Sequence, residues 1–109
     1  MESPFACATT AFADGHLVTV AGEVDIATAP QLAETLADAA NGGTVRVDIS
    51  GVTFLDSSGL HALVAAHRYI TRNGRRMIIC GPVDPIVSRT LEITRVYELF
   101  EIEEVPAAG

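Results

Sequence analysis

Three times along this chain a short apolar run leads into a stretch of helical periodicity and then into another apolar run. The runs are residues 16–21 (H-L-V-T-V-A), 44–49 (T-V-R-V-D-I), 77–80 (M-I-I-C) and 99–105, the last with alternating acidic residues. Each connection is too long for a hairpin and carries a helix. Each therefore demands a right-handed crossover between parallel strands. Ahead of them, residues 5–12 are short and rich in Thr and Ala, and Asp14-Gly15 reads as a hairpin turn. The predicted order is β-β-α-β-α-β-α-β. The fold class is α/β, a mixed four- to five-stranded sheet with helices, in a single domain over residues 1–109. Alternation within residues 44–49 predicts that one side of the sheet is less covered than the other.

The helix boundaries carry their own signals. Thr28 can cap the first helix, Pro30 fits its first turn and Gln31 completes a capping box. Leu32, Leu36 and Ala39 or Ala40 then recur at helical spacing, and residues 41–43 (N-G-G) stop the helix. Residues 51–56 read as a connection. A second helix follows over 58–73, ended by Gly74, with Leu60, Leu63, Val64, His67 and Ile70 as its apolar stripe. Asp84-Pro85 opens a third helix running to about Arg95.

Composition narrows the function classes. The net charge is −7, and all seven basic residues are arginines. Such a balance repels phosphate backbones and anionic lipid, so direct nucleic-acid binding is not expected. No apolar run approaches the ~20 residues of a membrane span. The first eight residues lack a basic start and a long apolar stretch, so the expected location is the cytoplasm. Cys7 and Cys80 stand far apart with no ligand-spaced His or Cys beside them. They read as two buried thiols rather than a bridge or a metal site, and no cofactor is implied.

Residues 54–60, F-L-D-S-S-G-L, are the most informative segment. They lie between a predicted strand and a predicted helix. Asp56, Ser57 and Ser58 all suit a helix cap, and a helix start also favours a phosphate through its dipole and unpaired N–H groups. Gly59 removes a side chain where something comes close. Physics alone leaves capping and a functional serine both open. A hydrolase is disfavoured, because the pattern G-x-S-x-G is absent and no base or oxyanion site is specified.

This run resembles the phosphorylation motif of the STAS family, the sulphate transporter and anti-sigma factor antagonist domains. Residues 22–25 (G-E-V-D), followed by Thr28, Ala29, Pro30 and Leu32, resemble that family's other recurring segment. In the antagonist branch the resemblance implies that Ser58 is the phosphoacceptor, with Asp56 its acidic neighbour and Ser57 shaping the loop. It implies an anti-sigma factor serine kinase as partner and a serine phosphatase for reset. The unphosphorylated chain would bind the anti-sigma factor and free the sigma factor. The expected partner-binding residues are Gly22, Glu23, Asp25, Asp56, Ser57, Ser58, Gly59 and His61. The alternative is a cytoplasmic STAS accessory subunit of a membrane transport complex.

His61 departs from the small residue common at that place in the antagonists. It pairs with a phosphate on Ser58, alters which kinase fits, or is a solvated surface histidine. His67 reads as a packed core histidine. Arg68, Arg72, Arg75 and Arg76 cluster towards the end of the second helix, where they serve its C-terminus or form a patch for an acidic partner.

Overall fold

The computed structural model describes residues 5–103. Strand β1 (Ala6–Phe12) turns through Ala13 and Asp14 into β2 (Gly15–Val24), and the two pair antiparallel, as the Asp14-Gly15 signal predicts. Helix α1 (Ala29–Ala39), β3 (Thr44–Leu55), α2 (Ser57–Arg72), β4 (Met77–Cys80) and α3 (Pro85–Ile93) follow. A 3-10 turn (Val96–Glu98) then leads to β5 (Glu101–Glu103). The sheet order is β1-β2-β3-β4-β5, with every pair after the first parallel.

Register places the core. Val18, Val47 and Ile79 lie side by side across three strands, as do Val45 and Met77. These side chains join Leu32 and Leu36 of α1, Leu63 and Ile70 of α2, and Val87 and Leu91 of α3 in one buried cluster. All three helices therefore cover the same face, the outcome of three right-handed crossovers that each step one strand in the same direction. The other face carries Arg46 beside Ile78 and Asp48 beside Cys80. Arg46 approaches Asp14 and Glu103 there, at 3.6 and 4.0 Å. The alternation of residues 44–49 thus reports helices on one face only, although β4 is buried on both faces, with Ile78 and Cys80 on the face away from the helices. Cys7 pairs with Val20 on the helix-covered face, whereas Cys80 lies on the other. Both thiols are free; Cys80 is buried, but Cys7 is only half-buried, its sulfur 3.1 Å from the Thr35 hydroxyl.

Two sequence expectations need correction. Residues 51–55 are the second half of β3 rather than a connection. They escape a period-2 reading because β2 also runs on to Val24, and the two strands pair through register shifts between Thr19 and Ala21 and between Gly22 and Glu23. A β-carbon at Gly51 would stand 2.9 Å from that of Ala21, so this stretch trades alternation for close backbone approach. The capping box at Thr28 is also absent, since Thr28 already has helical backbone angles and makes no side-chain cap. Smaller differences concern the C-terminal end. Helix α3 stops at Ile93, and Arg95 takes a left-handed conformation with φ 62°. The last strand is Glu101–Glu103, and residues 104 and 105 of the expected strand lie outside the described residues.

Candidate functional site

The carboxyl end of β2 and the start of α2 meet at one corner. Val24 pairs with Leu55, and the Asp56 N–H donates to the Val24 carbonyl at 3.2 Å. Asp56 is the N-cap of α2, with extended backbone. Its carboxylate accepts from the N–H of Ser58 at 2.8 Å and of Gly59 at 3.2 Å. The Asp56 carbonyl meanwhile takes the Leu60 N–H. Asp56 is therefore the residue that wins the cap, ahead of Ser57 and Ser58, since its charge makes each bond stronger at the positive end of the helix. Two of the N–H groups that sequence reasoning left open to a phosphate, those of Ser58 and Gly59, are already filled by this carboxylate.

Gly59 fixes where the helix sits. A β-carbon there would lie 2.5 Å from Leu55 Cδ1 and 2.6 Å from Val24 Cγ1. Its absence lets α2 start directly against the two strand ends. Ser57 and His61 consequently face solvent, and Ser58 is half-buried.

Residues 22–25 build the turn into α1. Gly22 is buried with φ 91°, a conformation that favours glycine. Asp25 accepts from the N–H of Ala27 at 2.9 Å and of Thr28 at 3.1 Å, closing the turn into α1. The Thr28 hydroxyl accepts from the Asp25 N–H at 2.9 Å and donates to the Glu23 carbonyl at 3.0 Å. Glu23 alone in this segment is a charged side chain free to face a partner. Of the eight expected contact residues, Glu23, Ser57, Ser58 and His61 thus present groups outward. Asp56 and Asp25 hold turns, and Gly22 and Gly59 set spacings.

Sequence reasoning missed the grooves on either side. Between α1 and α2 lies an open groove of about 570 Å³, walled by Ile26, Pro30 and Ala33 on one side and by Ser58, His61 and Ala65 on the other. Ile26 stands 79% exposed at its rim. The signal was an isoleucine outside any strand or helix period, next to the G-E-V-D segment. A second groove of about 480 Å³ runs down the outer side of α2 past Ser57, His61, Arg68 and Arg72.

The remaining candidates are structural. The His67 ring meets Phe100 edge-on, with centroids 5.4 Å apart. Burial pushes the His67 imidazole below its ordinary range, with Glu101 acting the other way. Arg75 does not serve its own helix; it donates to the Ala40 carbonyl at the end of α1, at 2.9 Å. Arg76 pairs with Glu101, whose hydrogen bond to the guanidinium holds its carboxyl below the usual range. Among the described residues no cluster of His, Cys, Asp or Glu is suited to a metal, and no helix is long and apolar enough to cross a membrane.

Comparison with known proteins places the chain in a family. An anti-sigma-B factor antagonist of Staphylococcus epidermidis is 32% identical over 93 residues, covering 84% of this chain and 85% of the relative. The crystal structure of an anti-sigma factor antagonist from Mycobacterium paratuberculosis superposes with a TM-score of 0.82, covering 99% of this chain and 92% of the other at 22% identity. The Bacillus cell fate determinant SpoIIAA in its phosphorylated form superposes with a TM-score of 0.70, covering 94% and 91% at 16% identity. At such identities the structural likeness is one of fold. The sequence model of the STAS domain, however, matches residues 8–108, nearly the whole length, and the chain belongs to the STAS domain family.

Proposed function

We propose that this protein is an anti-sigma factor antagonist, a binding protein rather than a catalyst. Its unphosphorylated form binds an anti-sigma factor serine kinase in the cytoplasm and so frees the sigma factor. Phosphorylation at Ser58 ends that binding, and a serine phosphatase restores it. The observation that carries the reading is the occupied cap. With Asp56 on the N–H groups of Ser58 and Gly59, a phosphate on Ser58 has no free donor pair at the helix start. It stands at the surface beside a carboxylate, in a corner shared with exposed Ser57, His61 and Glu23.

Phosphate brings about −1.5 to −2 of charge. Juxtaposed like charge at a contact costs several kcal/mol, and ~3 kcal/mol already weakens binding more than 100-fold. No change of fold is needed. The relative named as an anti-sigma-B factor antagonist and the neighbour named in a phosphorylated form support the same reading. Binding of Ser58→Ala and Ser58→Asp to the anti-sigma factor tests it. Ser58→Ala keeps wild-type affinity, because it adds neither charge nor bulk. Ser58→Asp loses part of it, one carboxylate being a weaker charge than phosphate. Equal affinity of Ser58→Asp and wild type would contradict the proposal.

A further inference from the structure

Helix α2 carries no acidic residue over its sixteen positions, in a chain whose net charge is −7. Its cations are not spread around it. At about 100° per residue, Ser57, His61, Arg68 and Arg72 fall within about 60° of arc, a stripe about 22 Å long. All four are exposed and line the same groove. Arg68 and Arg72 stand at i and i+4, where like charges repel and cost helix stability. Four of the other five arginines are engaged, Arg46 with Asp14 and Glu103, Arg76 with Glu101, Arg95 with Glu98, and Arg75 with the Ala40 carbonyl, while Arg89 on α3 stands alone among the described residues. Among the described residues Arg68 and Arg72 take part in no such pair. The stripe also borders the apolar groove of Ile26, Pro30 and Ala33, sharing Ser57, His61 and Ala65 with it.

We infer that the outer face of α2 docks an acidic, amphipathic segment of the anti-sigma factor. The segment's apolar side lies in the α1–α2 groove, and its carboxylates lie along His61, Arg68 and Arg72. This inference rests on the proposed function and names the chemistry of its partner. It places the serines at the head of the docking stripe, so phosphate there repels an acidic segment while the distant arginines stay in place. Arg72 is one stripe length away, beyond the ~8 Å Debye length at physiological salt, and cannot neutralise it. Nucleic acid and anionic lipid are less suited occupants, because the rest of the chain repels them.

The test is titration calorimetry of the unphosphorylated protein with the anti-sigma factor at low and high salt. The variants are wild type, the double variant Arg68→Gln/Arg72→Gln, and Arg89→Gln as an exposed arginine on α3. The double variant should bind roughly tenfold more weakly at low salt, with a smaller salt dependence. Arg89→Gln should stay within about twofold of wild type, and circular dichroism should be unchanged in both. Wild-type affinity and salt slope in the double variant overturn the docking stripe while leaving the antagonist reading intact. An equal loss in Arg89→Gln also overturns it, since that is an effect of net charge alone. Duplex DNA or anionic vesicles bound more tightly than the anti-sigma factor overturn the choice of partner. Failure of wild type to bind the anti-sigma factor removes the proposed function and this inference together.

Discussion

Replacing Asp56 by alanine separates the two roles assigned to the start of α2. Alanine removes the acceptor of two backbone bonds, at 2.8 and 3.2 Å, and leaves the N–H groups of Ser58 and Gly59 unpaired. Loss of a cap costs ~1 kcal/mol, and loss of the charge at the dipole adds about 0.3–1 kcal/mol. Asp56→Ala should therefore be about 1–2 kcal/mol less stable in urea denaturation. In a domain of this size each of those kcal/mol lowers Tm by roughly 4–8 °C. Asp56→Asn keeps an oxygen in place and should lose only the charge at the dipole, about 0.3–1 kcal/mol, because Asn caps about as well as Asp. The decisive comparison adds phosphate. In wild type the cap is full, so phosphorylation at Ser58 should leave Tm unchanged or lower it. In Asp56→Ala the same phosphate finds two free donors at the positive end of a helix and should raise Tm. Thermal melts of both proteins, with and without phosphate, complete the cycle. A phosphate that stabilises wild type as much as Asp56→Ala would refute the claim that the carboxylate has already taken those donors.

Further consequences are open to simple measurement. Gly59→Ala gains up to ~1 kcal/mol of helix propensity but drives a β-carbon against the stiff Val24 side chain, and overpacking costs about 1–3 kcal/mol; the variant should be net destabilised, and a more stable Gly59→Ala would contradict the packing. Because burial lowers the His67 pKa in the folded chain, the unfolded chain binds the proton more readily as pH falls below the ordinary 6.5. Stability should be fully present above 6.5 and decline below it, before the carboxylates titrate, and His67→Gln should lose that slope. Burial, then the charges of Asp48 and Glu103, push the Cys80 thiol up, so iodoacetamide on the native protein should label Cys7 well before Cys80. Mass analysis should find both thiols free, since they lie on opposite faces of the sheet.

Much of this architecture is legible from local signals. Met77–Cys80 is a strand because four apolar residues stand between a helix stop and a glycine, and Asp84-Pro85 opens α3 as its cap and first turn predict. What escapes is set by contact rather than period. The second half of β3 is invisible to alternation because it pairs with β2 through two register shifts, each with one extra residue on β3, between Asp48 and Gly51 and between Val52 and Phe54. The Asp25 carboxylate closes the turn into α1, a role that its place in the sequence does not announce. The segment from Leu55 to Gly59 is visible as a helix start, but only the distances show which of three capping residues is used. The outer stripe of α2 was half visible. Arg68 and Arg72 belong in sequence to a four-arginine cluster, and only the fold divides that cluster into two structural arginines and two that take part in no pair among the described residues.

The central claim is that one phosphate on Ser58 switches partner binding. The most direct measurement incubates the protein with the anti-sigma factor kinase and ATP, maps the product by mass spectrometry, and titrates the purified phosphoprotein against the same partner. The account predicts a single phosphate on Ser58, an affinity reduced at least ~100-fold, as a loss of about 3 kcal/mol gives, and an unchanged circular dichroism spectrum. Phosphate confined to Ser57, or a Ser58 phosphoprotein that binds as tightly as the unmodified chain, would contradict it.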